Sequence, residues 1–515
     1  MAASLLRIIT SGVQDTRLLC TKGEPDISMF TKAFIRAGRF TTQWVRLDFD
    51  NTANLGTSAT ITLPRKGHLI SRLYLVTTMP DIYTVQNRAR IAGGSNFVGP
   101  SFGWTNSLGH ALLQEANLEI GGATVERLDG RLLEVLDEFY SPLEKQIAMN
   151  KLICRKDNGF TYKSFGYNES NTRVVTPLPF WFASGDSALA LPIDAIQADA
   201  VKLTIRFNTL NSLYVSDSYT QLSGTTNPVA GEAYFPLTNA KFYQYNASGS
   251  NVLGLSNNPV SQILNIQMSN TYNLGETYIL AEYIYLDKPE ANKFRLSDIN
   301  VPITQHYIFD PVDSQNMNQI RYKFSVPNPT RNLFFYLNRY EATRYNAPFL
   351  ASRDLSGYSY SSNSYTETSL PWWPDASGLN TQFLGTVRSG FSTRDSEPLK
   401  SVQLMYEGKL VRYSTDAPSL FRSILPSYEM RKSPWVNRYM YTLMFGVQHG
   451  LIAPSFPSGG ANLDKLQTIE LFLQLHQNSG TLDTSSVPRY NMYLYAETYN
   501  ILRIYGGRAG LLFAY

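Results

Sequence analysis

Histidine is the side chain that most often holds a catalytic metal or moves a proton near neutral pH, and this chain has five: His68, His110, His306, His449 and His476. The closest two, His449 and His476, stand 27 residues apart. No HxH, HExxH or Cys/His spacing sets two ligands on one turn or strand, so the five read as scattered structural histidines. There is no GxSxG elbow, no P-loop and no Cys–His signature. Gly506-Gly507-Arg508-Ala509-Gly510 has the composition of a phosphate loop, yet it follows a Tyr-rich strand pattern and opens no helix. A glycine turn between two strands is the better reading. Carboxylates are plentiful, but the sequence alone cannot set two of them at a glycosidase separation. Trp372-Trp373 offers a platform for a sugar ring, although Pro371 and Pro374 on either side favour a rigid loop plug. The expectation is therefore no catalytic residue, no cofactor-binding residue and no metal ligand: not an enzyme, and no cofactor.

Cys20 and Cys154 are the only cysteines, which argues against a disulfide framework and suits a reducing compartment. The sequons Asn168-Glu169-Ser170 and Asn246-Ala247-Ser248 carry weight only behind a secretory signal. Met1 to Thr10 is too short and too broken by Arg7 to be a signal core, and no segment approaches the ~20 apolar residues of a membrane span. A soluble cytosolic chain is expected. Net charge is +4 from 45 basic and 41 acidic residues, without a basic stripe or arm, so no direct contact with nucleic acid is expected.

The elements that would position any site are strands. Charged residues make up 17% and aromatics 13%, with 33 Tyr; this balance favours sheets and extensive contacts with neighbouring subunits. Runs bounded by Gly, Pro, Asn and Ser predict strands at Thr41–Phe49, Ala59–Leu63, Ile70–Thr77, Glu115–Val125, Val201–Phe207, Tyr278–Leu286, Leu333–Leu337 and Ile469–Leu475. One helix is well patterned, Gly130–Tyr140, with Leu132, Leu133, Leu136 and Phe139 at helical spacing. The segment EANLEIGGATVERLDGRLLEVLDEFYSP is echoed by SVQLMYEGKLVRYSTDAPSLFRSILPSYE, placing Gly122 and Gly408 286 residues apart. A second echo follows in the same order: Pro177–Phe207, an aromatic strand, a Pro loop and an apolar strand, and Tyr439–Leu475. Two echoes in one order predict two similar β domains, meeting in the Ser/Thr/Asn/Gly-rich stretch Asn211–Thr238.

The blocks GEPDISMFTKAFIRAGRFTTQ (Gly23–Gln43), SLGHALLQEANLEIGGATVERLDGRLLEV (Ser107–Val135), PLPFWF (Pro177–Phe182), LALP (Leu189–Pro192), AEYIYLDKPEANKF (Ala281–Phe294), PSGGANLDKL (Pro457–Leu466) and YNILRIYGGRAGLLFAY (Tyr499–Tyr515) together span nearly the whole chain. In that order they resemble the double jelly-roll major capsid proteins of the nucleocytoplasmic large DNA viruses, the group with iridoviruses, phycodnaviruses and asfarviruses. The resemblance implies an all-β fold of two tandem eight-stranded antiparallel jelly-roll barrels with a few short helices in loops. It implies an N-terminal arm over 1–24, a first barrel over 25–215 and a second over 216–515, with a long connection at 211–263 and a loop at 341–398. Ala281–Phe294 would begin the second barrel. It further implies a structural subunit of an icosahedral capsid, a homotrimer forming a pseudo-hexagonal capsomer. The implied partners are neighbouring capsomers, minor capsid or penton proteins and an internal membrane, with the protein located in the virion after assembly in the host cytoplasm. Asp81–Asn106 and Glu341–Pro398 precede equivalent strands, so both should emerge at one outward end. A scaffold or minor capsid protein of the same fold is the close alternative. A β-sandwich carbohydrate-binding protein or glycosidase is the alternative from another class.

Overall fold

The structure is a computed structural model that describes residues 38–81, 102–155, 173–183, 186–216, 272–339, 348–349, 351, 397–414, 417–434, 438–447, 449–450, 457–476 and 489–513. The chain divides into Met1–Phe40 and Thr41–Tyr515; the sheets belong to the larger unit.

The first half supplies β1 (Phe40–Asp48), β2 (Ser58–Thr62), β3 (Leu69–Thr78), β4 (Phe102–Trp104), β5 (Leu113–Ile120) and β6 (Ala123–Leu128). It continues with β7 (Arg173–Pro177), β8 (Val201–Phe207), β9 (Tyr214–Ser216) and β10 (Thr277–Leu286). Two four-stranded sheets result, ordered β1-β10-β3-β7 and β2-β8-β5-β6, and β4 pairs with β9 outside them. The second half supplies β11 (Ile299–Ile308), β12 (Val312–Asp313), β13 (Gln319–Phe324), β14 (Thr330–Arg339) and β15 (Leu399–Tyr406). After these come β16 (Lys409–Ser414), β17 (Met440–Met444), β18 (Ile469–Leu475), β19 (Tyr490–Tyr505) and β20 (Arg508–Leu511). Their sheets run β11-β19-β14-β17, with β12 and β20 added on β19, and β13-β18-β15-β16. With β4, β9, β12 and β20 set aside, the two halves follow one pairing scheme, the interleaved Greek-key order of a jelly roll.

Alternation explains the strands. In β8 (VKLTIRF), Val201, Leu203, Ile205 and Phe207 are buried, while Lys202 and Arg206 point to solvent. The other half repeats this in β18, where Ile469, Leu471, Leu473 and Leu475 turn inward. Each such side chain stabilises the fold by about 1.5–3 kcal/mol on burial. The echo is structural. β5–β6 turns through Gly121-Gly122 at φ 61° and 86°, and β15–β16 through Glu407-Gly408 at 48° and 76°. Two consecutive positive φ values mark the two-residue turn whose twist suits a tight hairpin. The turn at Gly506-Gly507 joins β19 to β20 in the same way, so the glycine-rich segment is a hairpin, as its sequence suggests.

Three expectations need correction or restriction. β10, expected near the opening of the second barrel, instead pairs antiparallel with β3, Tyr278 opposite Val76 and Leu280 opposite Tyr74. The boundary placed after residue 215 therefore does not match the pairing, and strands of the first barrel continue to Leu286. Its alternating pattern suits either barrel, and the intervening residues 217–271 hid the partnership. PLPFWF is not a strand along its length: β7 ends at Pro177, and Trp181–Ala183 form a 3-10 turn with Phe180, Trp181 and Phe182 buried. The loops expected at one outward end lie mostly outside the described residues, as do Trp372-Trp373, Cys20, both sequons and the 1–24 arm.

Candidate functional site: the polar seam between the barrels

The helix α1 (Leu108–Leu112) and the helix α2 (Gly130–Tyr140) follow β4 and β6. Asp129 caps α2, its carboxylate accepting from Leu132 N at 2.6 Å. Gly130 is required at the first position, because a Cβ there would lie 2.0 Å from the carbonyl oxygen of His110. α2 is buried on all sides but one: of its residues only Arg131 is partly exposed. A helix in that position must be covered by two bodies. One is the first barrel. The other is the outer face of the β11-β19-β14-β17 sheet, where Phe139 meets Phe334 at 5.3 Å between ring centroids and the Arg131 guanidinium lies 4.5 Å over the Tyr493 ring.

Three acids of α2, Glu134, Asp137 and Glu138, are buried with it. Glu134 accepts from Arg155 Nη2 at 2.6 Å and from Ser107 Oγ at 3.1 Å, lies 2.6 Å from His110 Nδ1, and is paired with Arg438. Asp137 is paired with Arg155 and accepts from Ser141 Oγ at 2.5 Å. Glu138 lies 2.9 Å from Arg438 and 3.6 Å from Lys432. Arg155 follows the helix α3 (Gln146–Leu152) in the first half, whereas Lys432 and Arg438 come from the second. Three carboxylates thus face three cations, two of which, Lys432 and Arg438, reach them from across the joint. Burial alone would push the carboxyls of Glu134 and Asp137 up. The charges of Arg155 with Arg438, and of Arg155 with Lys432, outweigh it and hold both below the usual carboxylate range, Glu134 well below.

A second network lies where β6 meets β11. His306 Nδ1 is 2.9 Å from Glu126 Oε1, and its Nε2 is 4.0 Å from Glu497 Oε1. Glu497 accepts from Tyr140 Oη at 2.7 Å, Asn332 Nδ2 at 2.6 Å and Arg331 Nη1 at 3.1 Å. Gln305 donates to the carbonyl of Val125 and receives a 2.7 Å bond from Asn500. Burial dominates at Glu126 and raises its carboxyl, with the hydrogen bond to His306 only partly offsetting it.

The histidines are therefore dispersed: His110 and His306 serve separate networks, His68 accepts from Leu286 N at 2.9 Å, His449 is buried, and the backbone N–H of His476 donates to Pro398 O. Among the described residues, no cluster of three or more His, Cys, Asp or Glu is arranged to hold a metal. Cys154 is buried. A cavity of about 260 Å³ beside α2 is lined in part by Tyr74, Leu133, Met149 and Leu178 together with His110, Asp137 and Ser141, and these three polar groups are engaged in the seam, Ser141 with Asp137 and His110 with Glu134. Sequence reasoning missed the seam. Acids at positions 134, 137 and 138 share one side of a helix, a pattern that ordinarily marks the solvent face.

The geometry describes a joint between two like bodies, and the comparisons with known proteins agree. A family model described as the N-terminus of the major capsid protein matches residues 28–287, and a second, described as the large eukaryotic DNA virus major capsid protein, matches residues 295–510. The chain belongs to this capsid protein family. The first match ends one residue past β10, in keeping with the pairing of that strand. The major capsid protein of Phaeocystis pouchetii virus is 21% identical over the full length of both chains. Probable capsid protein 4 of Acanthamoeba polyphaga mimivirus is 25% identical over 218 residues, which cover 42% of this chain and 39% of that protein. The fold is shared with the PBCV-1 virus capsid structure, at a TM-score of 0.63 and 16% identity, covering 95% of this chain and all of that one. The fold is thus an all-β double jelly roll with a few short helices, as the sequence suggested.

Proposed function

We propose that this protein is a non-enzymatic structural subunit of an icosahedral viral shell, assembling as a homotrimer whose two barrels per chain make six similar lobes. The observation that carries the reading is the pair of barrels with one strand-pairing scheme, joined by a fully buried seam. Two equivalent bodies fixed side by side turn threefold symmetry into a pseudo-hexagonal outline, which tiles a surface. The two barrels divide around the helix α4 (Lys288–Leu296), each built on eight core strands. Capsomer-to-capsomer contacts, minor or penton proteins and an internal membrane complete the expected surroundings, and the genome is not contacted directly. The virion is the location, with assembly in the host cytoplasm.

Electron microscopy of the purified chain tests this. Threefold particles with six lobes are expected, and a stable folded monomer at micromolar concentration would overturn the trimer. A scaffold or minor shell role shares the fold and is separated by copy number: the main subunit dominates the protein of purified particles.

A further inference from the structure

The seam inside the chain is a template for a contact that the described residues of one chain leave unmade. Within the chain, the helix that follows β6 lies on the outer face of the sheet β11-β19-β14-β17. That face carries the register partners Phe334 with Tyr495 and Tyr336 with Tyr493, and Phe139 and Arg131 of α2 pack on it. Its counterpart in the first barrel is the sheet β1-β10-β3-β7. The outer face of that sheet bears the same kind of side chains. The Trp44 ring lies 5.7 Å from that of Tyr74, and the Arg46 guanidinium lies 4.3 Å over the Tyr278 ring. Yet this face is open: Trp44 is 44% exposed, and β1 is exposed along most of its length, whereas its counterpart β11 is largely buried.

The counterpart of α2 is equally uncovered. After β16 the chain forms a π-helical turn (Leu420–Ile424) that runs into the helix α5 (Leu425–Glu429). Phe421 and Pro426 are buried, but Ile424 is 48% exposed and Tyr428 85% exposed. These two are four residues apart and share a helix face. Among the described residues, one chain therefore holds a filled seam and two exposed halves of another, a helix on the second barrel and an aromatic sheet face on the first.

We infer that α5 with its π-helical turn packs on the outer face of β1-β10-β3-β7 in a second copy of this chain, through Ile424 and Tyr428 against the Trp44 and Tyr278 region. Each half is complementary to the other and not to itself, so the contact is heterologous and runs head to tail, closing a ring when the rotation permits. The inference rests on the trimer reading, which sets the number of copies; what it adds is the two faces that meet. Large apolar and aromatic side chains at the centre of such contacts carry most of the association energy.

Native mass spectrometry of the full chain with Trp44→Glu, with Tyr428→Glu, and with both is the test, alongside circular dichroism to confirm folding. A trimeric parent, and a folded double variant whose trimer dissociates at least 100-fold more readily, is the expected result. A trimeric parent with an equally stable double-variant trimer overturns these faces and leaves the trimer reading standing. That is the outcome if residues 1–37 of the same chain or a different shell protein cover the sheet. A monomeric parent overturns both. Should the glutamate variants fail to fold, Trp44→Cys and Tyr428→Cys chains mixed with a bis-maleimide replace them. Cross-links between the two variants in excess of those within either alone are expected, and their absence overturns the contact.

Discussion

At the level of single residues, the seam separates two kinds of buried carboxylate. Glu134 is surrounded by Arg155, Arg438, Ser107 and His110. Removing its charge strands cations that are themselves buried, so Glu134→Gln should destabilise the chain by about 3–5 kcal/mol in denaturant unfolding. Glu126 has the opposite balance, because burial raises its carboxyl more than His306 and Trp181 N–H lower it. Glu126→Gln keeps an amide that can bond to His306 and sheds a costly charge, so its effect at pH 7 should stay within ~1 kcal/mol. Equal losses from the two variants would contradict this division. The pH dependence has a definite sign. Glu134 and Asp137 titrate below their ordinary values of 4.5 and 3.8. The stability they bring is thus complete above those values and is lost as pH falls through the lowered ones. Glu126 and Asp129, raised by burial, run the other way and are relieved in acid. Acid unfolding followed by circular dichroism should therefore begin below about pH 4.5 in the parent, and Glu134→Gln should flatten the dependence that remains.

At the level of elements, α2 is a strut with the first barrel on one side and the second on the other. Phe139→Ala should cost about 3–5 kcal/mol, the range for a buried phenylalanine, because its ring meets Phe334 across the joint. A small effect on the thermal midpoint would mean that the barrels are held mainly by other contacts. The range of α2 is legible in the sequence from Leu132, Leu133, Leu136 and Phe139, and β8 and β18 from strict alternation. The hairpin echo is legible too, since Gly122 and Gly408 each occupy a left-handed position. Partnership across long gaps is not. Nothing local to TYILAEYIYL says that it belongs beside β3, and a strand pattern is silent about its neighbour when many residues separate the two. The seam was hidden for a related reason. Glu134, Asp137 and Glu138 look like a solvated stripe until Arg438 and Lys432 arrive from the far half of the chain. Charge pairing at such a distance leaves no periodic trace.

At the level of the whole molecule, the apolar interiors of both barrels form one continuous cluster, running from Leu203 and Ile205 through Phe139 to Phe334 and Leu471. The two barrels should accordingly melt together, as one calorimetric transition whose calorimetric and van't Hoff enthalpies agree. Two separated transitions would show that each barrel stands alone. The polar character of the joint has a further bearing on accuracy. An oily joint tolerates sliding, because apolar contact is nearly indifferent to direction. Hydrogen bonds weaken steeply when bent, so the pairs of Glu134 with Arg438 and Glu497 with Tyr140 penalise rotation of one barrel against the other. A tile with two lobes has one corner angle set inside the chain, and an error in that angle is copied into every tile of a surface, where it accumulates as unwanted curvature. The buried charges on α2 act as the set square of the tile, trading some stability for a corner cut to a narrow tolerance.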